Sequence, residues 1–117
     1  MGITVFVGIA TDVKTQNIQS LFITLGGTDS ALLEVLIDNA LGHKFSDILD
    51  KIREFDVLAQ LHFSELSSEE FKDAILAIRA YLGEINLSSD WQRDAKELWL
   101  SKFEPLITQD DRYAMAC

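Results

Sequence analysis

The sequence has one cysteine, one proline and six glycines in 117 residues. A lone cysteine, Cys117, cannot close an internal disulfide or build a thiolate metal cage, and such sparse use is compatible with a reducing cytoplasm. So little proline and glycine excludes collagen-like, linker-rich and disordered chains. Basic residues are scarce as well. Ten Lys and Arg face nineteen Asp and Glu, giving a formal net charge of −9. Such a chain is poorly suited to direct nucleic-acid binding, because phosphate contacts need clustered Lys and Arg. No apolar run approaches the roughly 20 residues that span a bilayer. The apolar start, Ile3 to Ala10, lacks a basic flank and meets Asp12 and Lys14 soon after. It is expected to be structural rather than a leader or an anchor.

Apolar residues make up 48% of the chain, enough to bury a real core in a single domain over residues 1–117. No repeat or low-complexity linker divides it. Residues 29–41 are apolar on most sides, which predicts a central buried helix with Thr28 or Asp29 as its cap and Gly42 as its stop. Ser46 is placed to cap a helix over about 47–56, with Ile48, Leu49, Ile52 and Phe55 on one face. The strongest local signal is Leu66-Ser67-Ser68-Glu69-Glu70-Phe71. Ser67 with Glu70 forms a capping box, and Leu66 with Phe71 a hydrophobic staple, opening a helix to about Leu82. Ser89 with Gln92 repeats the box before Trp91, Ala95, Leu98 and Trp99, and Pro105 is expected to end that helix. From Gln109 the tail is polar and expected to lie against the surface or fray.

The first third fits two periods. Ile3, Phe6, Val7 and Ala10 match helical spacing, as do Ile18, Leu21, Phe22 and Leu25, yet residues 3–9 are β-branched and aromatic as strands are. The expected fold is all-α, a compact bundle of about five or six helices. The alternative is a mostly α fold with a small two-stranded element from residues 3–9 and 57–63, the latter placing Val57, Ala59, Leu61 and Phe63 on one face.

Motifs for chemistry are thin. His43 and His62 lack metal-ligand spacing, and no Ser/His/Asp or Cys/His arrangement is present, so neither a metal nor an enzyme activity is expected. Leu25-Gly26-Gly27-Thr28 reads as a two-glycine turn between helices, with no Walker lysine after it. The longer stretch Leu25-Gly26-Gly27-Thr28-Asp29-Ser30-Ala31-Leu32-Leu33 is similar to the modification motif of acyl and peptidyl carrier proteins. That similarity implies Ser30 as the phosphopantetheine attachment point, as an alternative function.

Charge is more informative. Residues 47–73 hold eight acids, namely Asp47, Asp50, Glu54, Asp56, Glu65, Glu69, Glu70 and Asp73, against Lys51, Arg53 and Lys72. Two capped helices would display this charge together. A solvated face is one reading; a surface that steers a basic partner is the other. The expected partner-binding residues are Asp47, Asp50, Glu54, Asp56, Glu69, Glu70 and Asp73.

The C-terminal half resembles small bacterial immunity proteins of contact-dependent growth inhibition systems. Phe63-Ser64-Glu65-Leu66-Ser67-Ser68-Glu69-Glu70-Phe71 and Ala77-Ile78-Arg79-Ala80-Tyr81-Leu82 carry the resemblance. So do Trp91-Gln92-Arg93, Trp99, Phe103-Glu104-Pro105-Leu106 and Gln109-Asp110-Asp111-Arg112-Tyr113. The resemblance implies a cytoplasmic, non-enzymatic protein without cofactor. It would bind the C-terminal toxin domain of a cognate effector, in many cases a basic nuclease, and block its active site or substrate entry. An acidic adaptor or nucleic-acid mimic is the alternative within binding proteins, weakened by the interleaved Lys and Arg.

Overall fold

In the computed structural model, residues 2–12, 14–84 and 89–116 are described, with side chains for all of these except Asp56 and residues 114–116. The chain opens as a hairpin, β1 (Ile3–Thr11) against β2 (Ile18–Leu25). A short third strand, β3 (Gln60–His62), lies parallel to β1 on its other side, so the strand order is β2-β1-β3. The fold is therefore α+β, and the all-α expectation is overturned. The two-stranded alternative also falls short, because residues 18–25 form a third strand.

Alternation decided between the two periods. Ile3, Val5 and Val7 are buried on one face of β1, and Leu21 and Leu25 on the same face of β2. Phe6 and Phe22 stand opposite each other on the outer face, with ring centroids 6.2 Å apart. β-Branched and aromatic side chains suit this pleated, half-buried surface. The register shifts between Phe6 and Gly8, so β1 carries an extra residue against β2. Within 57–63 only three residues join the sheet. Val57 and Leu58 lie in a 3₁₀ turn (Asp56–Leu58), and Ala59 adopts φ 56° before the chain enters β3. Val57 is thus exposed, not on the buried face with Leu61 and Phe63.

Helices cover the inner face of the sheet. α1 (Gly27–Leu41) buries Leu33, Leu36, Ile37 and Leu41 and packs against both α3 (Ser68–Glu84) and α4 (Asp90–Leu98). The Gly-Gly turn joins β2 to α1 rather than two helices, with Gly26 as N-cap and Gly27 as the first helical residue. α2 (Ser46–Ile52) is shorter than expected and begins at Ser46, without a side-chain cap.

The Ser67 signal forms as its chemistry dictates. Glu70 N–H donates to Ser67 Oγ at 3.2 Å, and Ser67 N–H donates back to Glu70 Oε1 at 3.0 Å. Leu66 and Phe71 are both buried beside it. The second box does not form: Ser89 is the N-cap of α4, but its buried hydroxyl has no hydrogen-bond partner among the described residues.

Nor does Pro105 end the helical run. A π-helical turn (Trp99–Phe103) follows α4, and α5 (Glu104–Ile107) begins with Pro105 in its first turn. Glu104 N–H reaches back five residues to the Trp99 carbonyl. Proline has no N–H to give the preceding turn, and widening that turn accommodates its ring. The polar tail is tied down as well. α6 (Asp111–Ala116) packs on α3 and β1, and Asp110 is 1% exposed. Thr11 donates to Asp111 through both its N–H (2.9 Å) and its hydroxyl (2.6 Å).

Candidate partner-binding face

The acids of residues 47–73 divide by what holds them. Glu70 is structural: it closes the capping box and accepts from Lys51 Nζ at 2.6 Å, tying α2 to the start of α3. The Lys51 hydrogen bond and the Ser67 N–H hold its carboxyl below the usual glutamate range. Asp47, Asp50, Glu54, Glu69 and Asp73 are exposed, as is Glu65, and these six carboxylates have no ion-pair partner among the described residues. The side chain of Asp56 lies outside the described residues.

Two of the segment's three bases are turned to particular partners, while Lys72 is exposed on α3 between Glu69 and Asp73. Arg53 turns to α1, donating to Asp38 Oδ1 at 2.8 Å and Glu34 Oε1 at 3.2 Å. Lys51 is spent on Glu70. Asp47, Asp50 and Glu54 follow one another at helical spacing along α2 and the turn after it, on the side from which Lys51 reaches α3. Glu69 and Asp73 continue the acidic surface on α3.

An apolar anchor stands next in the chain. Val57 is 90% exposed and Leu58 61% exposed, in the 3₁₀ turn that follows Glu54. An adjacent exposed aliphatic pair gains nothing in stability from its position, whereas an interface can bury it. Neither residue stands out in the sequence as an interface candidate. Val57 alternates with Ala59, Leu61 and Phe63 as a strand's buried face does, and Leu58 sits within the same apolar run; the backbone turn at Ala59 separates both from β3. Behind the anchor, His62 stacks on Phe6 (4.7 Å) and packs against Phe55 (4.8 Å), so this histidine is a packed ring on the outer face of the sheet.

Asp73 also lines a groove of about 530 Å³ between the end of α1 and α3, with Phe45, Leu76, Ala77 and Tyr81 among its walls. Leu76 is 51% exposed there.

Other candidate chemistries are placed as follows. Ser30 is 5% exposed and donates its hydroxyl to the Gly27 carbonyl at 2.9 Å, so it does not present a free hydroxyl for modification. His43 lies exposed in the turn after α1, apart from His62. Among the described residues no three His, Cys, Asp or Glu side chains converge as a metal site, and no helix is long and apolar enough to cross a membrane. Comparison with family models, curated proteins and solved structures finds no match for this chain.

Proposed function

We propose that this chain is an immunity protein, acting in the cytoplasm, that binds and neutralises a basic toxin domain, a nuclease in the first instance. The observation that carries the reading is the pairing of unpaired carboxylates with an exposed aliphatic anchor. Asp47, Asp50 and Glu54 are exposed along α2 and the turn that leads to Val57 and Leu58, which stand clear of the core, and Glu69 and Asp73 are exposed on α3. Tight interfaces are built this way: an apolar centre is desolvated, and a charged rim sets partner choice and association rate. A nuclease cleft is basic because its substrate is a polyanion. An acidic face docked at that cleft occupies the surface where phosphates would lie. No catalytic step by this chain is involved; inhibition is by occupancy.

The test is binding to the toxin domain of the effector encoded beside its gene. Neutralising Asp47, Asp50, Glu54, Glu69 and Asp73 together is expected to slow association about tenfold at low salt, and less at physiological salt, where charges are screened. Val57→Ala with Leu58→Ala is expected to speed dissociation about tenfold or more. Unchanged rates in both variants, or no binding by the unaltered chain, would sink the reading.

A further inference from the structure

β2 is an edge strand. One side pairs with β1, and no described residue pairs with the other. Gln19, Ser20 and Thr24 are exposed along it, with Ile18 at 66% and Phe22 at 55% exposure. Natural edges are commonly guarded by lysine, proline, a bulge or shortness, because an open row of N–H and C=O groups recruits another strand. β2 has none of these guards. It runs for eight residues, Ile-Gln-Ser-Leu-Phe-Ile-Thr-Leu. It lies inside the longest uncharged run of the sequence, Thr15 to Thr28. The register shift of the hairpin places its extra residue on β1, so β2 stays regular.

The charge of the chain bears on what can occupy this edge. A second copy carries its own net charge of −9, so two copies approach closely only through surface free of carboxylates. β2 supplies such a surface. It is also self-complementary in direction, because a two-fold axis perpendicular to the sheet pairs a strand with its own copy antiparallel.

We propose that two copies of this chain associate edge to edge through β2, with Phe22 at the two-fold axis and Ser20 opposite Thr24 of the second copy. The joined sheet has six strands in the order β3-β1-β2-β2-β1-β3. Phe6 and Phe22 of each copy form one continuous aromatic row on its outer face. The anchor turn at Val57 and Leu58 adjoins β3, at the far edge from β2, so dimerisation leaves both acidic faces open. The proposal does not rest on the immunity reading.

Sedimentation velocity on the full chain, from about 1 to 200 µM, tests it without any partner. A shift from 13.2 kDa toward twice that mass with rising concentration is expected. Ser20→Lys with Thr24→Lys sets lysine against lysine twice across the axis and is expected to weaken association at least tenfold. Ser20→Lys with Thr24→Glu restores opposite charges at the same positions and is expected to recover it. Both pairs alter exposed side chains, and far-UV circular dichroism confirms the fold of each. A monomer over the whole range, a double-lysine variant that dimerises like the parent, or no recovery in the Lys/Glu variant overturns the proposal.

Discussion

Arg112 and Asp110, two residues apart, lock together through a two-point ion pair: Nε and Nη2 of the arginine donate to the two carboxylate oxygens at 2.9 and 3.0 Å. The other arginine donors are also used. Nη1 donates to the carbonyls of Phe63 (2.9 Å) and Leu66 (2.7 Å), and Nη2 to that of Val7 (2.7 Å). The guanidinium lies 4.0 Å from the centre of the Phe71 ring. Asp110 in turn accepts from Ile9 N–H at 3.2 Å. One side chain near the end of the sequence thus joins β1, the turn before α3, and α3 itself. Buried ions are tolerated only when paired and fully hydrogen-bonded, and this guanidinium meets that condition with all five of its N–H groups.

Arg112→Ala is expected to destabilise the fold by about 3–5 kcal/mol, since it strands a buried carboxylate and three carbonyls. Arg112→Lys should recover only part of this loss, because an ammonium cannot present a planar fork to acceptors on several sides. Urea denaturation midpoints compare the two. Equal stability of both variants with the parent would show that the network carries no weight.

Gly8 is where this network meets the sheet. A Cβ there would collide with Asp110 Oδ2 and lie 2.6 Å from Arg112 Nη2. Gly8→Ala should therefore lower stability by about 1–3 kcal/mol or more, although alanine is ordinarily better tolerated in a strand. Thermal unfolding of the variant measures it. A rise in melting temperature would contradict so close an approach.

Ala59 holds φ 56°, a left-handed conformation that a Cβ disfavours by about 1–2 kcal/mol. Ala59→Gly removes that penalty but adds freedom to the unfolded chain. The expected net effect is a gain of about 0.5–1 kcal/mol in denaturant unfolding. Loss of stability would mean that the Ala59 methyl group packs usefully.

Acid should loosen two contacts, that of α2 with the start of α3 and that of β1 with α6. Glu70 and Asp111 have lowered pKa values in the fold, the first through Lys51 and the Ser67 N–H, the second through the Thr11 hydroxyl and N–H. A carboxyl with a depressed folded pKa stabilises fully above its unfolded value, and that contribution is lost as pH falls through the folded one. Stability is expected to decline below about pH 4.5, where these groups bind protons in the unfolded chain before they do in the fold, and Glu70→Gln should flatten that decline. Denaturation at pH 7, 5 and 3 follows it.

The acidic part of the candidate face was readable because charged side chains without partners stay in water wherever their backbone goes. Asp47, Asp50, Glu54, Glu69 and Asp73 are exposed for that reason. Glu70 departs from the group because its capping role and the approach of Lys51 claim both oxygens. The anchor was not readable. Val57 and Leu58 carry the composition of a buried strand, and one alanine with positive φ turns them outward.

By itself the sequence determined what depends on neighbours a few residues away. Ser67, Glu70, Leu66 and Phe71 start α3 through contacts within one helical turn, and the spacing of Leu33, Leu36, Ile37 and Leu41 makes α1 a buried helix. Only the tertiary structure decided what depends on distant partners. Residues 3–11 and 18–25 satisfy both helical and strand periods. A strand becomes favourable only once its backbone groups find another strand, which for β1 includes residues 60–62. Pairing of Arg112 with the Val7 carbonyl spans 105 positions of the chain. No local propensity encodes such a contact, because its free energy exists only when folding has brought both groups together and removed their water.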